Sequence, residues 1–235
     1  MNNKLMICNL KMHRDFDEMV SYKNKILENI EQFKNVVICP PVVFMSLFLD
    51  ENIILGSQDI TAYEDLKLTG EIGTCQLKSL NTKYVIIGHS ERRNVLKENN
   101  QMFINKIRNT LSGGMIPIFC IGELNPKKFE KEINKQIKCV YNSLNKDDIA
   151  NIIIAYEPIY NVNKDKDVDI NIIIEHVKYI RKTVKENFKV DNVRVLYGGN
   201  VDKSLVTNTI NLPDIDGYLI GRKSLDIKEL LQILG

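Results

Sequence analysis

The chain has 235 residues, 44% hydrophobic and 26% charged, enough to bury the core of one large α/β domain or two small ones. The formal net charge is +2 and the lysines and arginines are scattered, not striped, which speaks against a nucleic-acid-binding face. No apolar run reaches the roughly 18 residues of a membrane span. The five cysteines (Cys8, Cys39, Cys75, Cys120, Cys139), with no CxxC pair, read as buried reduced thiols of a cytoplasmic protein and not as disulfides or metal ligands.

The first apolar run, Leu5–Cys8, is too short for a signal-peptide core and reads as a strand. Phe16, Met19, Val20, Leu27 and Ile30 then keep helical spacing. Val36–Cys39 and Ile53–Leu55 predict the next two strands, with room for only a short helix between them. Tyr84–Ile87 and Ile116–Phe119 predict the fourth and fifth, and Phe129, Ile133, Ile137, Val140 and Leu144 mark a helix. Ile152–Ala155 is the sixth, followed by a helix on Ile173, Val177, Ile180 and Val184, and Val193–Leu196 and Gly217–Ile220 complete the set. None of these eight runs alternates cleanly, as expected of strands buried on both faces. Eight βα units predict one domain over residues 1–235, a closed (β/α)8 barrel with a parallel eight-stranded core. The alternative, an open doubly wound sheet, lacks a GxGxxG after the first strand.

Barrels of this kind build their sites at the C-terminal ends of the strands. Strand one runs into Asn9-Leu10-Lys11, strand four into Gly88-His89-Ser90-Glu91, and strand six into Tyr156-Glu157-Pro158. Strand seven runs into Tyr197-Gly198-Gly199-Asn200 and strand eight into Gly221-Arg222-Lys223-Ser224. A carboxylate, an imidazole, an amine, an amide and glycine turns are thus expected on one rim.

Asn9-Leu10-Lys11-Met12, Ile86-Ile87-Gly88-His89-Ser90-Glu91-Arg92-Arg93, Cys120-Ile121-Gly122-Glu123, Ala155-Tyr156-Glu157-Pro158 and Leu196-Tyr197-Gly198-Gly199 resemble, in order, the signature segments of the triosephosphate isomerase family. Leu68-Thr69-Gly70-Glu71-Ile72 is similar to that family's loop after strand three. The resemblance implies a TIM barrel that interconverts dihydroxyacetone phosphate and glyceraldehyde 3-phosphate through an enediolate, without cofactor or metal, in glycolysis and gluconeogenesis.

It also implies roles. Glu157 is expected to be the base that shuttles the proton. His89 is expected to polarise the carbonyl as a neutral imidazole, kept neutral by a helix starting at Ser90, a pattern for which this family is itself the standing example. Lys11 brings positive charge near the enediolate and phosphate, with Glu91 as its partner, and Asn9 orients a substrate oxygen. Gly198, Gly199 and Gly221 are expected to offer backbone N–H groups to the phosphate. Cys120 and Glu123 are expected to support the site through packing. The loop 63–71 is expected to plug into a second subunit, giving a homodimer.

Departures from the family pattern fall in the substrate grip. The lid after Glu157-Pro158 usually has tryptophan followed by Ala-Ile-Gly-Thr-Gly, whereas this chain reads Ile159-Tyr160-Asn161-Val162-Asn163-Lys164-Asp165. Asn163 and Asp165 replace the lid glycines, Asn200 replaces serine, and Arg222 replaces the second glycine of a pair. Asn163, Asn200 and Arg222 are therefore candidate phosphate-binding residues that could also alter substrate length. The alternatives are an isomerase of another small phosphosugar, such as a tetrulose phosphate, or a barrel that binds phosphometabolites without turnover.

Overall fold

Runs with no polar face can be buried on both sides only if the sheet is enclosed, and here it closes on itself. In the computed structural model, which describes residues 4–50, 52–64, 67–161 and 168–235, the strands are β1 (Leu5–Asn9), β2 (Val36–Cys39), β3 (Ile54–Ser57), β4 (Tyr84–Ile87), β5 (Ile116–Ile121), β6 (Ile153–Tyr156), β7 (Arg194–Tyr197) and β8 (Gly217–Ile220). Each pairs in parallel with the next, and β8 pairs with β1 through Leu5–Gly217 to Cys8–Ile220. Alternate side chains separate into two cores. Ile7, Val37, Cys39, Ile86, Ile118, Cys120, Ile153, Ala155, Leu196 and Leu219 fill the barrel. Their neighbours, such as Met6, Cys8, Ile38, Val85, Ile87 and Ile154, pack against the surrounding helices.

The helices are α1 (Phe16–Glu28), α2 (Thr74–Ser79), α3 (Ser90–Asn94), α4 (Asn100–Ser112), α5 (Phe129–Tyr141), α6 (Lys146–Ala150), α7 (Ile170–Phe188), α8 (Lys203–Thr209) and α9 (Ile227–Leu234). Between β2 and β3 the chain makes a 3-10 helix over Val42–Phe48, the short crossover that the spacing allowed. Asp15 and Glu18 close a reciprocal capping box on α1, a device that contributes about 1 kcal/mol. The apolar faces expected for α5 and α7 are the buried ones, except that Tyr141 takes the last α5 position and Leu144 lies beyond the helix.

Two expectations need correction. On α1 the buried residues are Met19, Tyr22 and Ile26, and Phe16 is exposed. Phe16 opens the helix with its ring 6.4 Å from that of Phe44, and Ile30 begins a separate 3-10 turn. The thiols are not all buried: Cys8, Cys39 and Cys120 are, but Cys75 and Cys139 are exposed. Cys139 lies two residues beyond Ile137 on α5, which turns it off the face that Ile133, Ile137 and Val140 bury.

Candidate active site

The alternation that fills the barrel also aims the functional side chains. Two residues past Ile7 is Asn9, two past Ala155 is Glu157, two past Leu196 is Gly198 and two past Leu219 is Gly221. Each continues an inward-facing row, so the top of the barrel becomes the floor of a cleft. Asn9, Lys11, His89, Glu157, Gly198, Gly199, Asn200, Gly221, Arg222 and Lys223 all line that one cleft.

Lys11 sits in a left-handed conformation, φ 51°. Its N–H donates to Asn9 Oδ1 at 3.0 Å, and the Gln58 amide donates to its carbonyl at 2.7 Å and to the Cys39 carbonyl at 2.9 Å. Its ammonium meets Glu91 Oε1 at 2.5 Å. Burial pushes the Glu91 carboxyl up, but the Lys11 ammonium and His89 outweigh it and hold its pKa low.

His89 caps α3, directly after Gly88 at φ 71°. Arg93 reaches back to fix this corner. Its guanidinium donates to the carbonyls of Gly88 and Cys120, both at 2.8 Å, and lies over the rings of Phe103 and Phe119. Burial lowers the Arg93 pKa to about 10. Arg92 anchors α3 from the other side through Glu98 and Asp59, which also hold the buried Lys106.

Glu157 is 3% exposed and His89 8%. Glu157 Oε1 lies 3.1 Å from His89 Nε2, and Glu157 Oε2 accepts the Ser90 N–H at 3.2 Å. His89 Nδ1 accepts the Glu91 N–H at 3.4 Å, so in the neutral ring the proton is on Nε2, facing Glu157. Burial pulls the His89 pKa down, but the Glu157 carboxylate outweighs it and raises it above the ordinary value. The expectation that a helix start governs this ring thus meets a stronger neighbour. α3 is only five residues long and its N–H contact is long, while a full carboxylate charge sits on the other nitrogen.

Glycine makes room for Glu157. A Cβ on Gly122 would lie 1.7 Å from the Glu157 carbonyl oxygen, and one on Gly198 would lie 3.0 Å from Glu157 Cγ. Gln136 holds Gly122 in place, accepting its N–H at 3.1 Å and donating to its carbonyl at 2.6 Å. Behind the loop, the fully buried Glu123 accepts from the Tyr156 hydroxyl at 3.0 Å, and that hydroxyl is 2.7 Å from His176 Nδ1. Burial raises the Glu123 pKa to about 7.

After β8, Gly221 opens the 3-10 turn Arg222–Leu225. Ser224 Oγ ties this turn to the end of β1, donating to the Asn9 carbonyl at 3.2 Å. Arg222 is exposed at the cleft.

A model of the triosephosphate isomerase family matches residues 4–235. This chain belongs to the triosephosphate isomerase family. It is 35% identical to the triosephosphate isomerase of Dictyoglomus thermophilum over 96% of each chain. It is 34% identical to that of Thermoanaerobacter sp., covering 100% of this chain and 99% of the relative. It is 35% identical to that of Mycoplasmopsis pulmonis, covering 100% and 98%. The protein is an isomerase that interconverts dihydroxyacetone phosphate and glyceraldehyde 3-phosphate.

The resemblance in sequence to triosephosphate isomerases named most of these residues. Asn163 and Asp165 of the lid lie outside the described residues, as do Asp65 and Leu66 of the loop 63–71. Several residues that line or support the site, Gln136 among them, were not assigned from sequence. Gly122 and Arg93 stood inside quoted motifs, and Lys223 stood beside Arg222, but Gln58 carried no local signal. Among the described residues, no group of three or more His, Cys, Asp or Glu is placed to hold a metal, and no helix is long and apolar enough to cross a membrane.

Proposed function

We propose that Glu157, His89, Lys11 and Asn9 carry the proton transfer, with the phosphate seated on the turns after β7 and β8. The observation that supports this is the convergence of Glu157, His89 and Lys11 on one cleft that Gly199, Asn200, Gly221 and Arg222 also line. Glu157, freed from water, takes the proton from one carbon and returns it to the next. His89 Nε2–H donates to the carbonyl oxygen once substrate displaces the Glu157 contact. Lys11 stabilises the negative charge that develops there, and Asn9 positions it. Gly198 gives Glu157 clearance, while Ser90 and Glu91 hold Glu157 and Lys11 before substrate arrives. Backbone N–H groups at Gly199, Asn200, Gly221 and Arg222 receive the phosphate, and Asn163 is a further candidate for it by the family resemblance.

Turnover of glyceraldehyde 3-phosphate by the wild type and by Glu157→Gln tests this. The variant is expected to lose about 10²–10⁴-fold in kcat, with KM within a few-fold. A loss below tenfold would remove Glu157 from the role of base.

The same reading includes a homodimer through the loop 63–71. Exposed apolar residues gather on the loops that follow β1 to β4: Met12, at 93% exposure, Val43, Tyr63, Leu68, Val95 and Leu96. Sedimentation at micromolar concentration should give twice the chain mass of 27.1 kDa. Five free thiols suit a reducing compartment, and we place the enzyme in the cytoplasm.

A further inference from the structure

The turn after β8 has two ends, and they face different hollows. Gly221, Arg222 and Lys223 line the cleft. Leu225, at the other end, lines a separate hollow with Arg14 and Tyr22. The last carbonyls of a helical turn have no partner inside it. Here both are taken from outside. The Tyr22 hydroxyl, on α1, donates to the Ser224 carbonyl at 2.6 Å, and the Arg14 guanidinium donates to the Leu225 carbonyl. Tyr22 is 2% exposed, and burial pushes its pKa above the ordinary phenol value, so the hydroxyl keeps the proton it donates. The two donors brace each other, with the Arg14 guanidinium carbon 4.8 Å from the centre of the Tyr22 ring. Arg14 holds φ 78°, a left-handed backbone that a non-glycine residue keeps only where its surroundings fix it. It follows closely on Lys11, which is also left-handed, at φ 51°. Ser224 Oγ adds a further tie, to the Asn9 carbonyl at 3.2 Å. The Asn9–Lys11 loop and the phosphate turn are thus joined by groups that the proton transfer does not use.

We propose that Tyr22 and Arg14 are positioning residues for the isomerisation. By holding the Ser224 and Leu225 carbonyls they fix the tilt of the turn, and so the direction in which the Gly221 and Arg222 N–H groups meet the substrate phosphate. The pair rests on the phosphate seat proposed above. It acts on the hold on substrate and not on the chemistry of Glu157 and His89. The phosphate stays bound in the ground state and the transition state alike, and binding that serves both sets KM.

Orthophosphate is the probe, titrated by calorimetry and by amide NMR into the wild type, Tyr22→Phe and Arg14→Gly, beside steady-state kinetics with glyceraldehyde 3-phosphate. Tyr22→Phe removes only the hydroxyl. Arg14→Gly removes the guanidinium and at the same time relieves the left-handed backbone, so its effect on binding is separable from a loss of stability. The wild-type Gly221 and Arg222 amide resonances are expected to shift with orthophosphate. In each variant the orthophosphate Kd and the KM should rise about three- to tenfold, the worth of one hydrogen bond, with kcat within about twofold. If the wild-type amides do not respond, the phosphate seat falls and the positioning role with it. If they respond but Kd and KM are unchanged in either folded variant, or the loss falls on kcat, the positioning role is overturned and the seat stands. Thermal melts establish folding, and one folded variant is enough to decide.

Discussion

Gly122→Ala separates a positioning role from simple packing. The added Cβ would lie 1.7 Å from the Glu157 carbonyl oxygen, 2.7 Å from its carbonyl carbon and 3.4 Å from its Cα. All three are backbone atoms and cannot rotate aside. Contacts under 3.0 Å essentially do not occur for a real Cβ, so the two segments must part by more than about 1 Å. Gly122 has little room to retreat, because Gln136 grips its N–H and its carbonyl. The displacement therefore falls largely on the Glu157-Pro158 backbone, and a reacting group misplaced by about 1 Å loses about 10²-fold in rate. We expect kcat to fall by about 10² while KM moves less, since most of the proposed phosphate seat follows other strands, β7 and β8. Stability should fall by about 1–3 kcal/mol. Gly198→Ala is the comparison. Its Cβ would meet Glu157 Cγ at 3.0 Å and Leu219 Cβ at 3.3 Å, contacts that a shift of a few tenths of an ångström relieves, so a few-fold effect is expected. Steady-state kinetics on both variants, with circular dichroism melts to establish the folded fraction, decide the matter. A folded Gly122→Ala enzyme with kcat within about threefold of wild type, or one less impaired than Gly198→Ala, refutes the reasoning.

Three further outcomes are expected. The Glu157 carboxylate raises the His89 pKa against the pull of burial, so removing its charge in Glu157→Gln should lower the NMR titration midpoint of His89, and an unchanged or higher midpoint contradicts the assigned cause. Glu123 has a folded pKa of about 7 against an ordinary 4.5, so the folded form keeps a proton that the unfolded chain has released, and stability falls as pH rises from 4.5 through about 7. Glu123→Gln should therefore match the wild-type Tm at pH 5 and exceed it at pH 8, and equal behaviour at both would remove burial of the charge as the cause. Lys106→Met leaves Asp59 and Glu98 without a buried cation 2.7 and 2.5 Å away and should cost about 3–5 kcal/mol in urea unfolding; a cost under about 1 kcal/mol would show that the pair with Arg92 suffices.

All eight strands were legible in the sequence, with ends shifted by at most two residues, because a run such as Ile152–Ala155 needs burial on both faces wherever it lies. Position at a strand end then marked Asn9, Lys11, His89 and Glu157, since in a barrel any polar residue just past such a run lands on one rim. Partners were harder to read. Gln58 joins Lys11 and Cys39 from a third strand's end, and Arg93 joins Gly88 to Cys120; such contacts cross strands that local spacing does not connect. Side-chain facing on α1 was misjudged for a related reason. Apolar character alone does not say whether Phe16 or Tyr22 meets the barrel, because the helix's docking angle chooses.

The sequence by itself determined that this chain closes a parallel barrel and that a carboxylate, an imidazole and an amine stand on its rim, because burial and alternation are properties of the order of residues. Only the tertiary structure decided what those groups do to one another. The 3.1 Å contact that sets Glu157 against His89, the clearance that Gly122 leaves for the Glu157 carbonyl, and the placing of Arg222 and Lys223 on the same cleft all depend on distances between segments far apart in the chain. Electrostatic and steric energies fall off over a few ångströms, so they are fixed when the barrel closes and not before.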